Sequence, residues 1–166
     1  MSKFTPRTKG RAPRQKIGGP GLFVYGTLLD ADVRTLVLGR PLEPDQLQPA
    51  VLKHMRRVYI AGRLYPMIVP RRGAAVDGLL LTALTDEDYA RLDAFEGADY
   101  GRERQNVSPL SEDADEGEPL LAWIYRTRGL GPRPSPREWR LEDWRKREKP
   151  VFLRAAKEWL AEIYAR

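Results

Sequence analysis

Phe23-Val24-Tyr25-Gly26-Thr27-Leu28 is a short apolar run, rich in β-favouring residues, that stops at a glycine and hands over to a helix. Leu22 extends the run backwards to a boundary at Gly18-Gly19-Pro20-Gly21. Gly26 permits a backbone conformation and a close approach that a Cβ would forbid. Asp30 is placed to N-cap a helix running to about Leu38, with Val33, Leu36 and Val37 at helical spacing and Gly39 as its stop. Gly26, Thr27 and Leu28 therefore fall in a strand-to-helix turn, where free N–H groups and the helix dipole favour an anion. A tight turn with no ligand fits the same residues, because a single glycine is a weak motif.

Leu92-Asp93-Ala94-Phe95-Glu96-Gly97 reads as the end of a second helix. Thr85 followed by Asp86, Glu87 and Asp88 gives that helix an N-cap and an acidic first turn. Tyr89, Leu92 and Glu96 recur at i, i+3 and i+7 and share one face, and Gly97 occupies the C′ position. This spacing turns Glu96 toward the core. Desolvation and the negative helix end both disfavour its anion, which suits a general base working near neutrality. A frayed helix end with Glu96 in solvent is the competing reading.

The remaining chain fits one domain. Further strands are expected at about Ala50–Ile60, Val76–Thr82, Arg102–Val107 and Leu120–Thr127, each bounded by turn-forming residues. Strands outnumber helices without regular alternation, so the expected class is α+β rather than a doubly wound sheet. The proline- and glycine-rich stretch 129–136 reads as a connector. The charged segment 137–149 suits a solvated helical surface. After Pro150, residues Phe152, Ala155, Ala156, Trp159, Leu160 and Ile163 form an apolar stripe, predicting an amphipathic helix docked on the body of the domain. The expected organisation is a basic, disordered tail over 1–20 and a single domain over 21–166 that includes a C-terminal helical extension over 137–166.

Charge and composition exclude several classes of chemistry. Lys3, Arg7, Lys9, Arg11, Arg14 and Lys16 precede the first acidic residue and equal the formal net charge of +6, so the rest of the chain is near neutral. No aromatic-rich or helical binding motif accompanies this tail, and specific nucleic-acid binding is not expected. The absence of cysteine removes disulfides, thiolate catalysis and zinc–thiolate sites. His54, the single histidine, cannot build a multi-histidine metal site and reads as a structural residue of a strand. Asp113 and Asp115 lack the calcium-loop pattern, and no serine stands in a nucleophile-elbow setting. No apolar run is long enough to span a membrane and the basic start lacks an h-region, so neither a membrane span nor a secretory signal is expected and the chain is assigned to the cytoplasm.

The two motifs together carry a resemblance. Phe23-Val24-Tyr25-Gly26-Thr27-Leu28 resembles the Tyr-Gly-Thr/Ser-Leu signature of γ-glutamylcyclotransferase-like proteins. Leu92-Asp93-Ala94-Phe95-Glu96-Gly97, followed by Tyr100 and Arg102, resembles their second signature, and Tyr65-Pro66 looks like their central Tyr-Pro. The likeness runs from about Gly21 to Val107. It implies a small distorted β-barrel with flanking helices, a substrate loop at Tyr25, Gly26, Thr27 and Leu28, further substrate contacts at Tyr100 and Arg102, and proton transfer by Glu96. The implied reaction cyclises a small γ-glutamyl amide to 5-oxoproline and needs no cofactor or metal. The alternatives left open are a non-catalytic ligand-binding or interaction module on the same fold, and a nucleic-acid-associated protein acting through its tail.

Overall fold

β1 (Leu22–Val24) is three residues long, and all three are buried. A strand hidden on both faces must be flanked on both edges to satisfy its backbone. In the computed structural model, which describes residues 20–166, β1 lies antiparallel to β3 (Pro66–Leu81) and parallel to β5 (Leu120–Thr127). β2 (Leu47–Ile60) pairs with β3 in a long hairpin, and β4 (Tyr100–Pro109) joins β5 to β2. The order β1-β5-β4-β2-β3 thus closes on itself as a five-stranded mixed barrel. The protein is α+β, a small distorted β-barrel with, among the described residues, four α-helices: α1 (Ala31–Leu38), α2 (Asp86–Glu96), α3 (Leu141–Arg147) and α4 (Lys149–Tyr164). None of these helices is long and apolar enough to cross a membrane. The basic tail expected at the start lies, up to residue 19, outside the described residues.

Alternation along β1 divides the core in two. Phe23, with Leu52, Val76, Leu80, Val107 and Ile124, packs inside the barrel. Leu22 and Val24 face the other way, toward Val33 and Val37 of α1, Leu92 of α2 and Phe152, Ala156 and Leu160 of α4. Phe152, Ala156 and Leu160 of the apolar stripe read in the last helix are therefore packed on the domain, whereas Ala155 and Trp159 remain exposed.

Three local features differ from the sequence reading. The hairpin strands β2 and β3 extend well beyond the apolar cores that signalled them, and include Pro49, Pro66 and Pro70. His54 does not continue the alternation of its strand. Its φ is 62° at the register shift between Lys53 and Met55, and its exposed ring accepts a hydrogen bond at Nδ1 from the Gly73 N–H (3.2 Å). The connector over 129–136 leads into a further strand, β6 (Pro134–Glu138), paired among the described residues only with β2. A single paired edge tolerates prolines that a central strand would reject.

Asp30 ties the helices together. Its buried carboxylate caps α1 by accepting the N–H groups of Asp32 (3.0 Å) and Val33 (3.2 Å). The other carboxylate oxygen takes Arg145 Nε and Lys149 Nζ, each at 2.9 Å, which fastens α3 and α4 to the start of α1. Burial alone would raise the Asp30 pKa. The bonds from Lys149, Arg145 and Val33 outweigh it and hold the group below the ordinary value. A depressed carboxylate stabilises the fold above its unfolded pKa, and that stability is lost as pH falls through the folded value. Asp30→Ala is expected to cost about 2–4 kcal/mol, combining a lost cap with a broken buried pair. Urea denaturation at neutral pH measures this, and the gap to wild type should narrow in acid.

Candidate functional site

The first strand and its turn open onto a cavity of about 600 Å³. Tyr25, Gly26, Thr27 and Leu28 form one side of it, Phe95 and Glu96 at the end of α2 another, and Tyr100 and Tyr125 reach in from β4 and β5. The loop 62–66 and one face of α4 complete the wall.

Thr27–Leu29 is a single 3-10 turn whose hydrogen bonds begin with the Leu29 N–H to Gly26 O (2.9 Å) and the Asp30 N–H to Thr27 O (3.0 Å). The N–H groups of Gly26, Thr27 and Leu28 precede that ladder and find no backbone acceptor among the described residues. The carbonyls are already engaged. Arg57 donates to Tyr25 O (2.9 Å), and the buried Arg34 donates to Leu28 O (3.0 Å) and Leu29 O (2.7 Å). Two arginines thus hold the acceptors of the turn and leave its donors unused. Gly26 has a negative φ of −119°, and its want of a side chain is explained by close approach. A Cβ there would lie 3.0 Å from Pro66 Cγ. Pro66 also accepts the Tyr100 hydroxyl at its carbonyl (3.0 Å), so the Tyr65-Pro66 pair packs on the turn and anchors Tyr100.

Glu96 arrives at the cavity because α2 is fixed at both ends. Thr85 and Asp88 form a reciprocal capping box (3.1 and 2.9 Å), and Leu92 is fully buried on the barrel-facing side. At the other end Gly97 has φ 68° and ψ −161°, a region essentially reserved for glycine. The side chain of Glu96 lines the cavity, half-buried, and is strongly desolvated there. Burial, with a smaller contribution from the negative charge of Asp93, pushes its pKa up to about 8. Among the described residues no side chain donates to its carboxyl. The surrounding phenols are held neutral. Burial, with the field of Glu96 adding to it, raises the pKa of Tyr25 and Tyr100. Tyr125 rises through burial and its hydrogen bond to Asp93. The Tyr25 hydroxyl donates to Tyr125 O (2.5 Å), and the Tyr125 hydroxyl donates to Asp93 Oδ1 (2.6 Å).

The structure brings Tyr25, Gly26, Thr27, Leu28, Glu96 and Tyr100 to one cavity, but not Arg102. Two residues along a strand is a rise of roughly 7 Å, and Arg102 ends beside Asp93 instead (Nε–Oδ1 2.9 Å), stacked over Tyr89 and Trp123. Its charge therefore serves Asp93 and does not oppose the raised pKa of Glu96. Asp93, Arg34, Arg57 and the α4 wall were not singled out in the sequence as site residues. Only the stripe in α4 left a periodic signal: Arg57 acts on a carbonyl 32 residues away, and Arg34, although close in the chain to the carbonyls it holds, belongs to no motif. Among the described residues no three His, Asp or Glu side chains gather as a metal site.

The site thus sets a donor-bearing turn and a desolvated glutamate on one cavity of a closed mixed barrel. The chain matches the gamma-glutamyl cyclotransferase, AIG2-like family over residues 22–146 and belongs to that family. It is 34% identical over 142 residues to AIG2-like protein D of Arabidopsis thaliana, covering 86% of this chain and 90% of that protein. It is 32% identical over 139 residues to AIG2-like protein C of the same plant, covering 84% and 77%. The solution structure of an Arabidopsis thaliana protein superposes with a TM-score of 0.56 at 30% identity, covering 89% of this chain and 93% of that one.

A carboxyl whose folded pKa lies above its unfolded value stabilises the protein at low pH. That contribution declines as pH rises through the unfolded value and on to about 8. Glu96→Gln should therefore match wild type in stability near pH 5 and exceed it increasingly toward pH 9. Denaturant midpoints across that range check the sign.

Proposed function

We propose that the protein cyclises a γ-glutamyl amide to 5-oxoproline and releases an amine or amino acid, with Glu96 moving the proton. The observation that carries this reading is the Glu96 carboxyl, raised to about 8 and facing the same cavity as the unused N–H groups of Gly26, Thr27 and Leu28. Membership of the family supports the same chemistry.

The substrate supplies its own nucleophile. Glu96 takes a proton from the α-ammonium, and the free amine attacks the γ-carbonyl carbon to close a five-membered ring. The proton passes from Glu96 to the departing nitrogen and the original amide C–N bond breaks. The ring nitrogen, which carries two hydrogens after the attack, gives up its second proton by way of Glu96, and 5-oxoproline and the amine in its ammonium form leave. A base with a pKa near that of the amine it serves exchanges protons at little cost. The N–H groups of Gly26 to Leu28 bind the α-carboxylate and hold the chain folded for attack, which removes several kcal/mol of entropic barrier. Tyr25 and Tyr100, neutral and fixed by their hydrogen bonds, shape the wall around the reacting atoms. No enzyme nucleophile takes part.

Two variants test the assignment. Glu96→Gln should lower 5-oxoproline formation about a hundredfold or more while changing substrate affinity little. The wild-type rate should rise with pH and level off near 8 as Glu96 loses its proton. Full turnover in the folded Gln variant would remove Glu96 from the chemistry, and binding without turnover in wild type would favour a ligand-binding module. Gly26→Val should abolish binding by driving its side chain into Pro66 and across the turn. Unchanged affinity by calorimetry in a folded Val variant would refute the role of the loop.

A further inference from the structure

One wall of the cavity comes from outside the segment that matches the family. Residues 22–146 make the match, whereas α4 begins at Lys149. Phe152, Ala155, Ala156 and Trp159 follow one another at i, i+3, i+4 and i+7 and present a single helical face to the cavity. Two alanines leave a recess between two large aromatic residues. Trp159 is 45% exposed although it is large and apolar, and a Cβ on Gly97 would lie 3.9 Å from its ring, next to Glu96 in the chain. Phe152 meets the rings of Phe95 and Tyr65 edge-on, with centroids 6.4 and 6.5 Å apart. The recess therefore continues from the Glu96 carboxyl into an aromatic-walled space. Besides Glu96, the acidic and basic residues on the cavity are Arg63 and Asp99, exposed and of opposite sign.

The γ-glutamyl half of a substrate is polar and matches the turn and Glu96. The other half must lie along the remaining wall, whose α4 face offers rings and methyl groups and no charge. From this we infer that α4 forms the leaving-group subsite and selects γ-glutamyl amides whose amine carries a bulky, uncharged aromatic group. This rests on the cyclising activity proposed above. Burial of an aromatic ring against such a wall is worth about tenfold or more in affinity. A leaving group with a carboxylate beside the scissile nitrogen would bring a second negative charge next to Glu96 and be disfavoured.

The test compares γ-glutamyl phenethylamide, γ-glutamyl methylamide and γ-glutamylphenylalanine with the full-length protein. The phenethylamide should exceed each of the others by about tenfold or more, both in kcat/KM for 5-oxoproline release and in affinity by calorimetry. Trp159→Ala removes one ring of the recess, and Ala155→Phe fills it. Both side chains are exposed enough for the variants to fold. Each should cut the preference for phenethylamide over methylamide about tenfold. Equal values for the three compounds, or a preference that neither variant alters, would overturn the subsite. Discriminating affinity without 5-oxoproline from any compound would uphold the subsite and overturn the cyclising activity.

Discussion

The carboxylate of Asp30 sits where both halves of the chain meet. A buried carboxylate is expensive in isolation, and its cost is offset here by two backbone N–H groups of α1 and two cations from α3 and α4. The arrangement has a geometric consequence. Asp30 directly follows the 3-10 turn that carries Gly26, Thr27 and Leu28, so whatever fixes Asp30 fixes the end of that turn. Of the cations it holds, Lys149 begins the helix that brings Phe152 and Trp159 to the cavity, and Arg145 belongs to the helix just before it. One ion-pair cluster therefore sets both the donor-bearing turn and the opposing wall, and neither would keep its place if the cluster were opened.

The electrostatics of Glu96 depend on where a nearby cation goes. Arg102 is close enough in sequence to have stabilised the glutamate anion, which would have returned its pKa to the ordinary range. Asp93 takes that charge instead, and it also accepts the Tyr125 hydroxyl. Asp93 thus has two effects on the site. It draws Arg102 away from the cavity, and it adds its own negative field to the burial that already disfavours the Glu96 anion. A glutamate tuned in this way is a liability for folding above neutral pH, and a structure carries such a group only when the rest of the molecule over-determines it.

The parts of the molecule that were legible in the sequence are those specified by short-range rules. The strand, turn and helix from Leu22 to Gly39 follow from an apolar run, a capping aspartate and a terminal glycine. Helix α2 follows equally from Thr85, its apolar spacing and Gly97. The barrel's closure was not legible from the residues alone, because it is a pairing between β1 and β5 a hundred residues apart; the resemblance of the two motifs supplied it. The bulge at His54 and the paired prolines of β6 break local propensity because tertiary pairing overrides it. The close approach of Pro66 to Gly26 has the same remote origin. A stripe of apolar residues at helical spacing says that α4 packs, but not that part of its face borders an open cavity.

Placing a specificity wall on α4 separates two demands that otherwise conflict. The turn and Glu96 must be held rigidly, since proton transfer and ring closure tolerate little displacement. The barrel and the Asp30 cluster provide that rigidity. The wall facing the leaving group has only to present a shape, and exposed positions such as Ala155 and Trp159 can change without disturbing the barrel core. The helix is anchored by Phe152, Ala156 and Leu160 along its buried row and at its start by Lys149, so substitution at the exposed Ala155 or Trp159 alters the recess and leaves the docking intact. A fold built in this way can keep one reaction geometry while the size and polarity of the leaving group are set by a single helical face.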